Sequence, residues 1–402
     1  MKVVVLGAGA VGAVIADQLT KSRHIEKITL ADVDLKKAKM LRQKLGSEKV
    51  VARKADASKI VQLAKLLKGN GIVVNATIPK FNLFVMRAAL RARVHYMDLA
   101  TGGPRDLVGS ADLDEQMALG EKFKRAGLTA LLSMGVDPGC TNIFARYMAN
   151  RMDRVEEVLV RDGDNSTVDG HSFAPLFSPD TIIEECLLPP LAYREGQFVR
   201  MEPMSGGEVY HFPQPIGPLT TYYVDHEEVE TIPANIPGVR KCDFKYALGE
   251  SFIQTLKALD SIGMTRAHPT LVGDMEVIPK NVLVSLLPDP ATLGPKVKGH
   301  SCVGVEVRGW AAGTPKRVFM YTMSSHEDCY KAHGVTATAF QTGVPPAIAV
   351  DMIARGEIAR TGTFTAEMLD PEPWPEELRK RGMPVEIIDL PDGPAGAPQS
   401  AM

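Results

Sequence analysis

The sequence has few cysteines, and their spacing forms no motif. Five are scattered along 402 residues, an odd number without a CxxC pair. This pattern is typical of reduced thiols in the cytoplasm, and it argues against a disulfide framework and against a cysteine-ligated zinc. We therefore expect a cytoplasmic protein with no metal site.

The sequence also lacks an excess of charge of one sign and lacks long apolar runs. Its 46 basic and 48 acidic residues give a net charge of −2, so neither nucleic acid nor an anionic membrane surface is an expected partner. No apolar run reaches the roughly 18 residues of a membrane span. Glycines interrupt the apolar start of the chain, which favours a strand and turn over a signal peptide. The expected partner is a small molecule.

A chain of 402 residues exceeds what one hydrophobic core usually holds, so two domains are expected. Residues 1–145 alternate β-rich runs with amphipathic helical segments, which predicts an α/β Rossmann domain with a doubly wound parallel sheet. Residues 146–333 carry more prolines and hairpin-like turns, typical of an α+β substrate and dimerisation domain. Residues 334–389 are predicted to return to the Rossmann domain as a helical segment, and 390–402 to be a flexible tail.

The strongest motif opens the chain. Gly7, Gly9 and Gly12 form GxGxxG directly after the predicted strand Lys2–Leu6, with Ala10 and Val11 between the last two glycines. The glycines permit a tight turn, a close approach of the backbone to a pyrophosphate, and close packing of helix on strand. The following helix offers free N–H groups to the phosphates. The motif predicts a dinucleotide cofactor.

An acid near the end of the second predicted strand indicates which dinucleotide. Asp32 lies twenty residues after Gly12, where a carboxylate accepts hydrogen bonds from the adenine ribose and repels a 2′-phosphate. We therefore predict NAD rather than NADP. Asp34 either shares this role or caps the next helix.

Two further strand ends are candidates for cofactor contact, because ligands of parallel sheets bind at the carboxyl ends of the strands. Asp56, after the third strand, lies either at the adenine edge or at the start of the next helix. Asn75, Ala76 and Thr77 end the fourth strand and are expected to contact the cofactor.

Several longer runs resemble the saccharopine dehydrogenase family, which includes saccharopine reductases, lysine 6-dehydrogenases and carboxynorspermidine dehydrogenases. The resemblance covers about residues 1–385 and implies an NAD(P) cofactor, a homodimer, and oxidation of a C–N bond to an imine or the reverse. It rests on VVNATIPKFNLFVMRAALRARVHYMDLA, GVDPGCTNIFARY, HFPQPIGPLTTYYVDHEE and TAFQTGVPPAIAVDMIARGEI.

The resemblance also assigns residues. The GxGxxG glycines and Asp32 match the dinucleotide site, and the run from Asp98 through Ala100 and Thr101 matches a turn on the nicotinamide side. Asp137 matches the turn that leads to the substrate cleft. Asp32 and Asp34 resemble lysine 6-dehydrogenase, whereas the C-terminal helical return resembles the saccharopine and carboxynorspermidine branches, so the branch stays open.

Amine oxidation needs a nitrogen with a free lone pair, and hence a nearby proton acceptor. Asp98, Asp137 and His171 are the candidate catalytic residues, although His171 is equally compatible with a structural turn. The segment Arg161–Glu185 is dense in carboxylates and is either a solvated loop or the receptor of a cationic amine. Within and beyond it, the candidate substrate-binding residues are Arg161, Asp164 and Lys245.

One other cluster, Asp225–Glu228, contains HEE but lacks a third ligand and the HExxH spacing of a zinc helix. It is interpreted as a structural or cleft-edge cluster without metal. The leading hypothesis is an oxidoreductase acting on a C–N bond of a saccharopine- or lysine-like substrate. The alternatives are a reductive amine–aldehyde condensing enzyme of the carboxynorspermidine dehydrogenase type and a non-catalytic NAD-binding sensor.

Overall fold

The N-terminal strands are short β-branched runs that are buried on both faces, as expected where helices cover a parallel sheet. A computed structural model describes residues 1–101, 113–171 and 173–391. The elements of the first part are β1 (Lys2–Leu6), α1 (Ala10–Thr20), β2 (Lys27–Asp32), α2 (Leu35–Leu45), β3 (Val50–Lys54), α3 (Ile60–Leu67), β4 (Ile72–Asn75), α4 (Asn82–Ala92), β5 (His95–Asp98), α5 (Leu113–Met117), α6 (Gly120–Arg125), β6 (Thr129–Leu132) and α7 (Cys140–Ala149).

The second part contains the longer, mostly antiparallel strands. Its elements are β7 (Arg154–Asp164), β8 (Thr167–Val168), α8 (Pro179–Leu187), β9 (Leu191–Arg194), β10 (Gln197–Arg200), β11 (Glu208–His211), β12 (Pro218–Tyr223), α9 (Glu228–Asn235), β13 (Lys241–Tyr246), α10 (Glu250–Ser261), β14 (Thr270–Val272), β15 (Met275–Val277), α11 (Pro279–Leu286), α12 (Pro290–Leu293), β16 (Val297–Lys298), β17 (His300–Ala311) and β18 (Thr314–Ser325).

The C-terminal part runs between the two preceding parts. Its elements are α13 (His326–His333), α14 (Ala337–Arg355), β19 (Gly362–Thr365), α15 (Trp374–Lys380) and β20 (Val385–Asp389). Short 3₁₀ turns occupy Pro79–Phe81, Gly294–Lys296 and Ala366–Met368.

The first sheet is parallel and has the order β19-β6-β5-β4-β1-β2-β3. Strand β1 lies between β2 and β4, so the chain direction across the sheet reverses there. In open α/β sheets the ligand crevice forms at such a switch point, beyond the carboxyl ends of the strands. The predicted Rossmann architecture is confirmed, and the crevice lies where the glycine motif is.

The second sheet is mixed and has nine strands, with β7, β13, β17 and β18 at its centre. Because side chains alternate along a strand, the sheet has two chemically distinct faces. One face, called the cavity face because it lines a cavity that reaches the glycine motif, carries Asp162 and Asp164 of β7. On the hairpin face β7 presents Arg161 and Gly163, and the β11–β12 hairpin covers this face, with Phe212 against Gly163.

The C-terminal part joins both sheets. Helix α14 packs on α1 so closely that a Cβ added at Gly343 would lie 2.5 Å from the Cβ of Val14. Strand β19 extends the parallel sheet beside β6, whereas β20 pairs with β18 of the mixed sheet. Helices α14 and α15 lie in the segment predicted to be helical, but the strands β19 and β20 were not recognised in it, and β20 joins the mixed sheet instead of the Rossmann domain. The predicted tail lies outside the described residues from 392 onward.

Among the described helices, none combines the length and apolarity needed to cross a bilayer.

Candidate functional site

The glycine motif forms a turn that only glycine fits at two of its three positions. Gly7 has φ +108°, and a Cβ there would lie 2.5 Å from the carbonyl oxygen of Ala76. A Cβ at Gly12 would lie 2.1 Å from the carbonyl oxygen of Gly7. At Gly9 a Cβ would meet nothing within 4 Å, so the backbone is open to a ligand there. Helix α1 begins after Gly9 without a side-chain cap, which leaves its first N–H groups available to a pyrophosphate.

Asp32 holds this turn from the end of β2. One carboxylate oxygen accepts a hydrogen bond from the Ala8 N–H at 2.8 Å, and the other accepts from the Asp34 N–H at 2.8 Å. The carboxylate therefore lies beside the glycine loop, where an adenine ribose would bind. Asp34 caps α2 through the Lys36 N–H at 2.8 Å, which is the helix-capping alternative. These residues fit a dinucleotide.

The other predicted cofactor residues differ in position. A cavity beside the glycine loop is lined by Gly9 and Gly12 and by five more of the predicted cofactor residues: Ala10, Val11, Ala76, Thr77 and Ala100.

Three further predicted cofactor residues are engaged with other side chains. Asn75 is buried and supports the loop, accepting from the Thr77 hydroxyl at 2.6 Å and donating to Asn82 at 2.8 Å. The Thr101 hydroxyl donates to Glu227 at 2.7 Å. Asp56 accepts from the N–H and hydroxyl of Ser58, bonds that lower the pKa of the Asp56 carboxyl, and it is not among the residues that line the cavity.

A cavity of about 500 Å³ extends from the glycine loop to the mixed sheet. Its rim near the cofactor loop is formed by Lys37, Asp289 and Pro290, with Lys37 and Asp289 in an ion pair at 3.8 Å. Its far end is acidic. The carboxylates there come from three different elements or loops: Asp137 before α7, Asp162 and Asp164 on β7, and Glu185 on α8.

Burial shifts the acid–base equilibria of this far end. Desolvation raises the pKa of Asp137 to about 7 and that of Glu185 to about 8, and it raises the pKa of Asp162 well above the usual range. Asp137 and Asp162 share a hydrogen bond, while Asp162 Oδ1 is buried without a partner. Asp164 is oriented by His326, whose Nε2 lies 3.1 Å from its Oδ2. His226 offsets only part of this crowding of carboxyl groups, and a cationic ligand would supply further counter-charge.

Among the described residues that line the cavity, the basic side chains are Lys37 at the rim and His226. His226 stacks on Phe244 with ring centroids 3.7 Å apart, and its Nδ1 lies 2.7 Å from Glu228 Oε2. The Thr141 hydroxyl donates to the other Glu228 oxygen at 2.8 Å. Burial disfavours charge on the ring, but Glu228, with smaller contributions from Glu185 and Asp137, raises the pKa of His226 well above its ordinary value.

Candidate ligand atoms of His226, Glu227 and Glu228 lie within 4.8 Å of one another, close enough for a metal. However, the bonds to His226, Thr141 and Thr101 already engage the carboxylates. These bonds account for the positions of the carboxylates, and a structural or cleft-edge cluster without metal stays a prediction.

Asp98 does not reach the cavity. It is buried at the end of β5 and accepts from Tyr96 OH at 2.7 Å, Gln116 at 2.6 Å and the Ser133 N–H at 2.6 Å. Burial raises its pKa to about 7 despite these three donors. The carboxyl therefore braces the nicotinamide-side turn instead of meeting a substrate.

Arg161 and Lys245 lie on the hairpin face of the mixed sheet, away from the cavity. Arg161 donates to Asp243 at 2.6 Å and to Glu208 at 3.0 Å, and Lys245 donates to Glu208 at 2.6 Å. The physical reason is strand alternation: Arg161 neighbours Asp162 in sequence and points to the opposite face. These two cations are not available for a substrate carboxylate in the cavity.

His171 lies at a turn that pairs with Val168, and it is not among the cavity-lining residues. Of the three predicted catalytic residues, the structure brings Asp137 alone to the cavity, and of the predicted substrate residues it brings Asp164. Two other acids of the Arg161–Glu185 segment, Asp162 and Glu185, line the cavity. In contrast, Asp169 forms an ion pair with Lys298, and Glu184 accepts a hydrogen bond from Lys280.

Sequence reasoning did not assign a functional role to His226, Glu228 or Tyr246. The HEE run drew attention to this cluster, but its roles were not predictable because Glu228 starts a helix and its contact with Thr141 joins distant parts of the chain. Tyr246 and Asp162 are aligned in register on β13 and β7, a proximity that only the strand pairing reveals.

Two family profiles match almost all of the chain. The profile described as "Saccharopine dehydrogenase NADP binding domain" matches residues 3–131, and that described as "Saccharopine dehydrogenase C-terminal domain" matches residues 135–383. The predicted family is thereby confirmed.

Similar proteins have the same full-length architecture. The chain is 31% identical to the carboxyaminopropylagmatine dehydrogenase of Synechocystis sp. over 394 residues, covering 97% of this chain and 98% of that protein. It is 30% identical to the carboxynorspermidine synthase of Vibrio cholerae over 414 residues, covering 98% of each. The fold matches apo saccharopine dehydrogenase (L-Glu forming) from Saccharomyces cerevisiae with a TM-score of 0.71 at 17% identity, covering 97% and 100% of the two chains.

The predicted enzyme class and nicotinamide cofactor agree with these matches. The chain is a member of the saccharopine dehydrogenase family, an NAD(P)-dependent oxidoreductase that acts on the CH–NH group of an amine.

Proposed function

We propose that this enzyme condenses a cationic amine of the polyamine class with a short aldehyde, and that it reduces the resulting imine to a secondary amine. The observation that carries the proposal is the acidic far end of the cavity, formed by Asp137, Asp162, Asp164 and Glu185. This is the condensing alternative stated from the sequence.

The charge balance of the cavity favours this alternative over a saccharopine-like substrate. Saccharopine carries several carboxylates, and each would need a cation, preferably an arginine. Lys37 is the basic side chain at the rim, and it pairs with Asp289. An amine with a second, charged nitrogen, by contrast, brings a positive charge to these crowded carboxyl groups.

The names of the two relatives suggest the aldehyde. A carboxyaminopropyl group attached to agmatine, when its C–N bond is disconnected, gives agmatine and a propanal that bears an amino and a carboxyl group. The same disconnection of carboxynorspermidine gives 1,3-diaminopropane and that aldehyde. Both amines are cations with a second charged nitrogen, as the cavity requires, and the aldehyde adds a single carboxylate where saccharopine has several.

The residues of the chain position the reactants. When bound at the glycine loop, the nicotinamide supplies a hydride to the imine carbon. Asp164 and Glu185 hold the remote cationic end of the amine, which directs its free nitrogen towards the cofactor end of the cavity. Thr77 and Ala100 border that end, and the apolar side chains of Leu99 and Val136 exclude water from it.

We further propose that NAD(H) is the preferred cofactor, which the Asp32 carboxylate beside the glycine loop supports because it would repel a 2′-phosphate. Fluorescence titration of the enzyme with NADH and with NADPH tests this. Tighter binding of NADH is expected. Tighter binding of NADPH, unchanged in Asp32→Asn, would contradict the proposal.

Absorbance at 340 nm tests the reaction itself. The enzyme, NADH and the amino- and carboxyl-bearing propanal are mixed with agmatine, with 1,3-diaminopropane or with the monocation propylamine. Consumption of NADH is expected with the first two amines and at least about 10-fold slower with propylamine, since a hydrogen bond to a charged group contributes about 1.5–3 kcal/mol. Equal rates with all three amines would contradict a second cation site.

A pair of variants in the same segment localises the effect. Asp164→Asn should raise the KM for the amine about 10- to 100-fold. Asp169→Asn is the matched control, because Asp169 is exposed, pairs with Lys298 and does not line the cavity. A similar rise in both variants would show that the general charge of the segment, rather than the cavity, is responsible.

The homodimer and the cytoplasmic location implied by the sequence also stay as proposals. Exposed Phe198 and Val199 on β10, a strand at the edge of the mixed sheet, support an interface. All five cysteines are free and buried, as is usual in a reducing compartment. Light scattering of the purified protein gives the mass, and a mass of one chain would exclude the dimer.

A further inference from the structure

We propose that His226 is the general acid–base residue of the reaction, and that Glu228, held by Thr141, positions and charges its ring. This inference rests on the proposed function and adds the proton carrier that amine–imine chemistry needs.

The geometry fixes the imidazole in one orientation. The ring stacks on Phe244 with an interplanar angle of 3°, and Nδ1 is engaged by Glu228 at 2.7 Å. Among the described residues Nε2 has no hydrogen-bond partner, and His226 lines the cavity, so Nε2 is the nitrogen left for a ligand. A ring held in one tautomer by a carboxylate behind it is suited to exchange a proton at the opposite nitrogen.

The carboxylate behind the ring is itself fixed. Glu228 is the first residue of α9 and is fully buried, and its second oxygen accepts from Thr141 on α7 at 2.8 Å. Buried carboxylates with one cationic partner hold that partner's charge strongly, because little solvent screens the pair. Glu228 is therefore a positioning residue that does not itself reach the substrate.

The surroundings of the ring are acidic on every side. Carboxyl groups from the loop before α7, from β7, from α8 and from the start of α9 face it: Asp137, Asp162, Glu185, Asp225, Glu227 and Glu228. Of these groups, Glu228 contributes most to the raised pKa of His226, with smaller contributions from Glu185 and Asp137, and this favours the protonated ring.

The proton balance follows from that starting state. The free-base nitrogen of the amine attacks the aldehyde carbon, and the C–N bond forms a carbinolamine. Protonated His226 gives its proton to the carbinolamine hydroxyl, the C–O bond breaks, and water leaves with the imine cation. Hydride from NADH then reduces the imine carbon, giving the secondary amine and NAD⁺, and solvent returns one proton to His226. The sum is amine, aldehyde, NADH and H⁺ giving secondary amine, NAD⁺ and water.

The alternatives within the site are weaker. Asp98 is enclosed by three hydrogen-bond donors and is outside the cavity. Asp137 reaches the cavity but shares its proton with Asp162. His226 is the cavity-lining group among the described residues that combines a fixed ring with a free nitrogen.

The principal experiment compares wild type with His226→Gln in the NADH-consuming assay. A drop in kcat of about 100- to 10,000-fold is expected, since general acid–base catalysis contributes that range. NADH binding, followed by fluorescence, and the equilibrium binding of agmatine should change less than about 3-fold. The matched control is His24→Gln, because His24 also contacts a buried carboxylate, Asp351 at 3.2 Å, but is remote from the cavity.

A second variant separates catalysis from folding. Glu228→Gln keeps the shape of the side chain and removes its charge, so the pKa of His226 falls. Because the reductive reaction uses protonated His226, the alkaline limb of the pH–kcat profile should move to lower pH. A merely structural Glu228 would lower kcat at every pH without moving the limb, and that outcome would overturn the proposal.

A titration by histidine NMR is independent of turnover. The signal missing in His226→Gln should titrate above the ordinary histidine range and move to lower pH in Glu228→Gln. If wild type consumes NADH with no amine, the proposed function fails while this titration still decides the inference. A His226 signal that is unaffected by Glu228→Gln would sink the inference and leave the proposed function standing.

Discussion

Both faces of the mixed sheet present carboxyl groups, but the two faces use them in opposite ways. On the hairpin face, Asp243 is paired with Arg161 at 2.6 Å, and that cation lowers the pKa of Asp243 although burial alone would raise it. On the cavity face, Asp162 forms no ion pair with any described residue, and burial raises its pKa well above the usual range although His226 acts in the opposite direction. Arg161 and Asp162 are neighbours in sequence. Their difference shows that strand alternation, rather than local composition, separates a structural ion pair from a binding site.

The largest expected effect on stability comes from a variant on the hairpin face. Arg161→Met removes a cation that is 1% exposed and leaves Asp243 and Glu208 without it. We expect the free energy of unfolding to fall by about 3–5 kcal/mol, the usual cost of removing one partner from a buried pair. Denaturant unfolding measures it. A double variant, Arg161→Met with Asp243→Asn, should recover part of the loss.

The second prediction concerns the pH dependence of stability, to which the carboxyl groups of the cavity face contribute. Asp137 with a pKa of about 7 and Glu185 with a pKa of about 8 bind protons in the folded state that the unfolded chain has already released near pH 4–5. Their contribution to the free energy of unfolding is fully present below the pKa values of the unfolded chain, and it is lost as the pH rises through 7 and 8. The raised pKa of His226 acts with the same sign. The Tm of the ligand-free protein should therefore fall between pH 5 and 8.

The cavity variant Glu185→Gln sharpens this prediction, because a neutral amide has no proton to lose. Its Tm should depend less on pH between 6 and 8 than that of wild type. Asp243→Asn should not flatten the slope in this range, because the lowered pKa of Asp243 contributes stability that is lost only in acid. A Tm that rises from pH 5 to 8 in wild type would contradict the assignment of raised pKa values to the cavity face.

The smallest effect is expected from Asp162→Asn in the absence of ligand. Asp162 forms no ion pair within the described part of the chain and has a buried oxygen without a hydrogen bond, so an amide should change the unfolding free energy by less than about 1 kcal/mol. The comparison with Arg161→Met, one residue away, is made by the same denaturant titration. Losses of equal size in the two variants would show that the two faces do not differ as described.

The sequence allowed the Rossmann half to be predicted in detail. The strand Lys2–Leu6 has the predicted bounds, because a short apolar run that ends at a glycine turn leaves little choice of register. The glycine positions followed from local conformation alone. Asp32 followed from its distance along the same βαβ unit.

The far end of the cavity was predicted as a segment but not residue by residue. The acidic run from Arg161 to Glu185 was recognised. Which of its acids line the cavity depends on the face that β7 turns towards the cavity and on the orientation of α8. In α8, Glu185 lines the cavity, whereas Glu184 accepts a hydrogen bond from Lys280. His226 reaches the same cavity from a region about forty residues later in the chain. Pairing across sequence-distant strands decides such contacts, and no local pattern encodes it.

The central claim is that the cavity face binds a cation with more than one charge, and calorimetric titration tests it most directly. Agmatine is titrated into wild type with NADH present, and glutarate and propylamine are titrated as a dianion and a monocation of comparable size. We predict measurable binding of agmatine that weakens about 10-fold or more in Asp164→Asn and is unchanged in Asp169→Asn. Binding of glutarate in preference to agmatine, or agmatine binding that is insensitive to Asp164→Asn, would contradict the account.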